Sequence, residues 1–591
     1  MNKTSCILKL YSENMASIQS RICRGHKYWY IVESRRVNGK PRPIVIECLG
    51  STEKLIQRLQ QGCTKGKVKS FSHGAVAAFL TLSKKLDIVS IINKHTSSQR
   101  DYWSKQPLRN DLTAGITLLL AAIGRACQPT SKRGWHEWAE GTTCGHLLRI
   151  SLAKLDSQHF WDLMDCIPED AIETIEVEIL QKVLELYPLN SGTLLYDTTN
   201  FYTFINTTNE RCDIAQRGKN KQKRHDLRQV GLALAVTQED YIPLIHRTYK
   251  GNTSDSKVFG QLIGSIKERM IKLNIDVSQH TIVFDRGCNS KINLNKVKRH
   301  KLHYLGALTP YHHQELIEAA DGNFATITVG DTELGVYRAK KEIWSEERTV
   351  LVFVSERLQK GQLRGVYQSL KKKKKLLGLI QRALANPKAK KRTKDQLEQL
   401  LKKLLHGQFM EGLILYELTD LQEGRWSLTY RTNSKQLETL EDQLGFRIVM
   451  TNRHDWESGK IIKAFYGQSI VEGAFKNIKN PYHLAVTPGF HWTDHKIRIH
   501  YFTCVLGYLL STLIWHDARQ AGFSGTLDSL LDSLNKVRLS QSVEYSGKRG
   551  KPKVIYQLED MSSDEQTLVQ TLNLADIHHK PLKIEGVRVY K

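Results

Sequence analysis

Residues 193–204 read TLLYDTTNFYTF and residues 281–290 read TIVFDRGCNS. In each, four residues of strand-forming type, mostly apolar, deliver an aspartate, Asp197 or Asp285. Polar or turn-forming residues come next: Thr198-Thr199-Asn200 in one, Arg286-Gly287 in the other. Such a run reads as a buried strand whose acid emerges at its end. Two such strands side by side would hold two carboxylates close together, where repulsion makes both charges costly unless a cation is shared. Each aspartate alone has a plainer alternative, capping the turn after it.

Further short apolar segments surround these two: VGLALAV at 230–236, YIPLIHRTY at 241–249 and YLGAL at 304–308. Between the second and TIVFD, the stretch SDSKVFGQLIGSIKERMIKL reads as a helix capped by Ser254 or Asp255. Strands first, then alternating helix and strand, predict a mixed α/β sheet covered by helices.

A third acid lies in SGKIIKAFYGQSIVEGAFKNIKNP (458–481), read as one helix from Ser458 to the Asn480-Pro481 stop. At about 100° per residue from Ile461, Phe465 falls near roughly 40°, Glu472 near 20°, Phe475 near 320° and Lys479 near 0°. Glu472 is therefore expected inside an apolar stripe. An uncompensated buried carboxylate costs several kcal/mol, so it would need a metal, a cationic partner or a cleft open to water. The alternative is an ordinary Glu472–Lys476 ion pair on an exposed face.

Working outward, residues 26–49 alternate like two strands around Asn38-Gly39, a hairpin-turn pair. Ser72 to Leu189 carries a helical period, with Asp111 and Pro168 near helix starts. Residues 310–450 hold strand-like runs (FATITV, TVLVFVS, GLILYEL, SLTYR) around a long basic helical stretch, and the segment beyond about 525 is polar with the loop SGKRGKPK. The expected division is 1–65, an N-terminal β-hairpin unit; 66–190, helical; 191–309, first part of an α/β core; 310–450, an inserted mixed α/β domain with a basic helical hairpin; 451–525, second part of the core with the Glu472 helix; and 526–591, a C-terminal tail.

The 591 residues include 87 Lys and Arg against 60 Asp and Glu, a net charge of +27. That surplus attracts polyanions, nucleic acid first. Residues 357–410 alone hold 16 basic and 2 acidic residues. There Lys371, Lys372 and Lys373, then Lys390, Lys391 and Arg392, stand on helices with leucines at 397, 400, 401, 404 and 405, a hairpin presenting charge to phosphates or simply a solvated face. The ten cysteines are scattered and read as reduced thiols; His312/His313 and His491/His495 are weak metal-ligand pairs. The apolar runs Leu112–Ile123 and Tyr501–Ile514 are too short to span a bilayer and read as buried helices, so no membrane partner is expected. The opening MNKTSCILKLYSENMAS lacks a cleavage pattern, which predicts a cytoplasmic protein.

These pieces together resemble the DDE transposases of bacterial insertion sequences, in the branch with a β-rich insertion domain and a Tyr, Arg, Glu, Lys signature. The resemblance is carried by YWYIVESRRVNGKPR…IECLG, RACQPTSK (125–132), LLYDTTNFYTF, PL…YKGNTSD, IVFDRGCNS, and IVEGAFKNIK with the later His491 and His500, eight residues lying between them. Glu472 and Lys479 keep the signature's spacing, whereas Phe465 stands at the tyrosine position with Tyr466 one place late, and Gln468 replaces the arginine.

The resemblance implies a ribonuclease H-like core interrupted before the glutamate helix, and catalytic, metal-binding roles for Asp197, Asp285 and Glu472 with two Mg²⁺, Mn²⁺ substituting. It implies double-stranded DNA as partner, both terminal inverted repeats and target, contacted by Arg286, Tyr466, Gln468, Lys476 and Lys479 beside the basic hairpin, and a homodimer on DNA. The end-binding role falls to the first 190 residues, with Arg35, Arg36, Arg42, Lys132 and Arg133 as contacts. Trp344 and Trp426 become base-stacking candidates, with core packing as the alternative. A bacterial, nucleoid-associated enzyme that cuts element ends and joins the 3′-hydroxyl to target DNA is the expectation; the alternatives are a metal-dependent nuclease without strand transfer and a DNA-binding protein without catalysis.

Overall fold

The computed structural model of the chain describes all residues except 1–15, 24, 38–39, 61–67, 97–111, 151, 153–154, 190–191, 220–223, 387, 389–391, 422–424, 488, 545–552, 580–581 and 583–591. The expected Asn38-Gly39 turn, the Asp111 helix start and most of the SGKRGKPK loop therefore lie outside the described residues. The chain forms two compact units, one of Met1–Val283, Ile292–Leu302 and Gly467–Lys591, the other of Phe284–Lys291 and His303–Tyr466. Both are mixed α/β.

In the first unit the central sheet runs in the order Thr281–Phe284, Thr193–Thr203, Arg228–Thr237, Pro243–Lys250. The last three are consecutive antiparallel strands, with Asp197 opposite Leu234 and Leu234 opposite His246. The strand predicted to end at Asp197 instead continues to Thr203. Thr198, Thr199, Phe201 and Tyr202 are β-branched or aromatic, favour the pleated conformation and find partners as far as Arg228. Gly231 is required where the next strand crosses it, because a Cβ there would stand 2.2 Å from the Tyr249 ring.

Helices cover both faces of this sheet. On one, helix Asp255–Lys272 brings Phe259 to 4.9 Å from the Tyr196 ring. On the other lie helices Gln468–Ile478 and Asp494–Gln520, the latter placing Tyr501 edge-on to Phe201 at 5.6 Å. Helix Asp494–Gln520 is long and apolar enough to cross a membrane by composition, yet it is mostly buried inside the unit. Its Gly507 packs against the backbone of helix Ala114–Cys127.

The N-terminal hairpin is part of a three-stranded sheet, since Ala16–Cys23 pairs with His26–Val37, which pairs with Lys40–Ser51. The C-terminal segment is more than a tail. Helix Leu527–Lys536 buries Leu530, Leu531 and Leu534, and strands Arg538–Glu544 and Lys553–Leu558 form a sheet with Lys69–Ser72. The polar average of this segment hides a leucine period on one helix face.

The second unit holds five antiparallel strands in the order Ala325–Val329, Thr332–Glu342, Glu347–Val354, Phe446–Thr451, His303–Leu308. The 30-residue helix Glu356–Ala385 and helix Lys394–Leu405 share a core of Leu370, Leu377 and Leu401 with Leu428 of strand Trp426–Thr432.

Four buried histidines of the first unit bear on acid stability. His73 lies 3.0 Å from the Thr143 hydroxyl, His159 3.1 Å from that of Thr117, and His146 donates to the His578 carbonyl at 3.0 Å. Burial lowers His73 to about 3 and His146, His159 and His578 to about 4. Between those values and about 6.5 the unfolded chain binds more protons than the folded one, so their contribution is present above about 6.5 and lost as pH falls toward 4. The melting temperature should accordingly drop between pH 7 and pH 4.5, before most carboxylates titrate. A melting temperature constant across that interval would contradict this.

Candidate functional site

Asp197 sits mid-strand, half-buried, and its Oδ1 accepts the N–H of Thr198 at 2.7 Å. Because side chains alternate along a strand, Asp197, Thr199 and Phe201 share one face and Tyr196 and Thr198 the other. The Thr198 hydroxyl, on the far face, donates to Asp255 Oδ1 at 2.7 Å. This tie between the strand and the first turn of helix Asp255–Lys272 was hidden in sequence, where Asp255 reads only as a cap.

The face of Asp197 receives the helix that carries Glu472. Val471, Ala474, Phe475 and Ile478 are its buried stripe. Glu472 lies beside this stripe, exposed, which corrects the expectation of a buried acid. The single helix assumed for the phase count is in fact two, Ser458–Tyr466 and Gln468–Ile478, separated at Gly467, so counting from Ile461 misplaces the face. Among the described residues the side chains of Glu472 and Lys476 form no ion pair with each other, so the paired-surface alternative is not realised either.

Lys479, the residue closing this helix, turns back onto the Asp197 strand. Its ammonium donates to the Thr199 hydroxyl and stands 5.2 Å from the centre of the Phe201 ring. Asp197 and Glu472 thus occupy packed neighbours within one unit, with Lys479 joining them.

Asp285 belongs to the second unit, immediately after strand Thr281–Phe284. It is exposed and caps the turn Arg286–Cys288, its Oδ1 accepting the Arg286 N–H at 2.7 Å. Arg286 is exposed as well. Among the described residues no group of three or more His, Cys, Asp or Glu side chains stands in an arrangement able to hold a metal ion. His491 and His495 do not pair: His491 faces Lys132, and His495 lies 2.8 Å from the Ile167 carbonyl.

The other expected contacts divide between inward and outward positions. Phe465 and Tyr466 pack on Phe353, at 6.3 and 6.0 Å, with the Arg447 guanidinium 5.4 Å from the Phe465 ring. Gln468 is half-buried at the start of its helix, and Lys476 is exposed. In the basic hairpin Lys371, Lys372 and Arg392 are exposed, but Lys373 donates to the carbonyls of Leu404 and His406, capping helix Lys394–Leu405. Lys390 and Lys391 lie outside the described residues.

Trp426 donates its indole N–H to the Arg392 carbonyl at 3.0 Å, and Trp344 lies 5.9 Å from the Arg348 guanidinium. Each tryptophan thus has a partner within its own unit. Arg35 pairs with Glu33 at 3.0 Å and with the Tyr556 hydroxyl at 2.9 Å, and Lys132 with His491 at 2.9 Å, so both face inward; Arg42 and Arg133 are exposed. The side chain of Arg36 lies outside the described residues.

No protein-family model and no curated protein matches the chain. Solved structures that are similar include piggyBac transposase in a synaptic complex with hairpin DNA, at 10% identity and a TM-score of 0.36 over 77% of this chain and 79% of that one. A likeness at that level carries no argument about activity.

The Lys479 tie can be tested directly. Lys479→Met and Thr199→Val should each lower stability slightly, and a double-mutant cycle between them should give a coupling of about 0.5–1 kcal/mol in denaturant unfolding. Strictly additive effects would mean that the two side chains do not meet.

Proposed function

We propose that the chain is a DNA transposase of the DDE type. The observation that carries this reading is the packing of the Glu472 helix on the Asp197 face of the central strand, tied by Lys479 to Thr199, two residues from the acid. The strand order of the first unit, in which a fourth strand lies beside the first of three antiparallel ones, supports a ribonuclease H-like core. The fourth strand leads directly into Asp285.

The donor set suits a hard cation. Among the described residues the Glu472 carboxylate meets no partner, and one Asp285 oxygen accepts a backbone N–H. Asp197 would be the shared ligand, with Asp285 and Glu472 each completing one of two Mg²⁺ sites; Mn²⁺ would substitute. Two bound ions would supply activation of the attacking oxygen and stabilisation of the leaving oxygen. Lys476, exposed one turn after Glu472, and Lys479 would neutralise phosphates beside the cut.

In this reading water first breaks the P–O bond at the element's end, leaving a 3′-hydroxyl. That hydroxyl then attacks a phosphorus of target DNA in line, displacing the target strand's own 3′ oxygen. The exposed lysines of the 356–405 hairpin supply salt-sensitive phosphate contact, and two copies pair the two ends.

A second reading has an observation of its own: both aspartates accept the N–H of the next residue, as purely structural acids do. A DNA-binding protein without catalysis would look the same at those two positions.

Mg²⁺ titration of cleavage on a duplex carrying the element's terminal repeats separates the readings. Asp197→Ala and Glu472→Gln should each reduce nicking by more than about a hundredfold, with end binding within about threefold of wild type. Nicking by either variant at the wild-type rate would refute the triad, and strand transfer from precut ends distinguishes a transposase from a plain nuclease.

A further inference from the structure

The strand that carries Asp197 ends at Thr203, and the next residue, Phe204, projects into solvent with 79% of its surface exposed. Phe490 and Trp492 are exposed by 65% and 60%. With Asn209, Glu210 and Arg211 these three rings line one hollow of about 720 Å³. Isolated exposed hydrophobics are ordinary, but three large aromatics around one concavity mark a binding surface.

The rings are held outward by an ordered frame. Between Phe490 and Trp492, His491 is buried, 2.9 Å from Lys132 Nζ and 4.6 Å from the His500 ring centre. Asn209 donates to the Trp492 carbonyl at 2.8 Å, and Arg228 donates to the carbonyls of Thr207 and Asn209 at 2.6 and 3.1 Å. The Asp494 carboxylate accepts the N–H groups of Asp213 and Ile214. These bonds tie the backbone at Trp492 to the turn around Asn209, so the Trp492 ring stands on a hydrogen-bonded base.

The charge at the hollow points to the occupant. Exposed Arg211 stands in the lining itself, beside Glu210, in a chain of net +27. Aromatic faces beside cationic side chains suit single-stranded nucleic acid, whose bases stack while its phosphates meet the charge. A paired duplex keeps its bases inside and could use only the charge.

We propose that Phe204, Phe490 and Trp492 form a stacking platform for the unpaired bases of a nucleic-acid strand. The inference rests on the DNA-processing reading for the origin of that strand. Phe204 directly follows the strand that carries Asp197, seven residues on, roughly 23 Å at about 3.3 Å per residue, so bases held here leave Asp197 free.

The test uses the full chain in EDTA, with a fluorescein-labelled fifteen-nucleotide oligothymidylate and a duplex of equal phosphate number as probes. Phe490→Ala/Trp492→Ala, and separately Phe204→Ala, should weaken oligothymidylate binding by about tenfold or more and duplex binding by less than about twofold. Trp492→Phe should restore most of the affinity, and unchanged melting temperatures would confirm folding. Equal losses on both probes, or no loss on either, would overturn the platform. So would a change in sedimentation behaviour without loss of oligothymidylate affinity, which would assign the hollow to a second copy. Asp197→Ala should keep oligothymidylate binding while losing cleavage, so failure of the platform and failure of the catalytic reading give different results.

Discussion

Ten cross-strand pairs between Thr193–Thr203 and Arg228–Thr237, from Leu194 opposite Thr237 to Thr203 opposite Arg228, set everything else in the first unit. Side chains alternate with a period of two, so this register alone decides that Asp197, Thr199 and Phe201 face one helix layer while Tyr196 and Thr198 face the other. A slip of one residue would exchange those faces. It would send Asp197 toward Phe259 and Thr198 toward the Glu472 helix, and both helix contacts would be lost together.

What presses the Glu472 helix onto that face is apolar burial rather than the lysine. Burying each of Val471, Phe475 and Ile478 is worth about 1.5–3 kcal/mol, whereas the exposed cation–π contact of Lys479 is worth about 0.5–1 kcal/mol. The stripe therefore supplies the adhesion, and Lys479 with Thr199 selects the axial position. Glu472 can then stay exposed at no desolvation cost.

The strands around Asp197 and Asp285, the helix beginning near Asp255 and the long buried helix through Tyr501 were legible in sequence because their periods are unbroken. The extension of the first strand past Asp197 was not, because threonines and an asparagine read equally well as a turn until a partner strand is present to pair them. The face of Glu472 was misjudged for a different reason. Angular counting assumes a continuous helix, and a single interruption at Gly467 discards the phase accumulated before it. Arg35 and Lys132 illustrate a third limit, since composition counts basic residues without revealing that Glu33 and His491 engage these two.

The stretches RACQPTSK and His491-to-His500 meet in one buried polar knot, although neither supplies a carboxylate or a nucleophile to the acid site. Arg125 donates to the carbonyls of Ala485 and Thr487, His500 hydrogen-bonds the Val486 carbonyl, and Lys132 meets His491. Gathering so many basic groups would be prohibitive if all were charged. Burial lowers Lys132 to about 7 and holds His491 and His500 well below the usual imidazole value, so the imidazoles remain neutral acceptors and donors at physiological pH. The knot thereby fastens the segment between the Glu472 helix and helix Asp494–Gln520 to helix Ala114–Cys127. Val486 and His491 are engaged on the inner side, while Phe490 and Trp492 stand exposed on the outer surface.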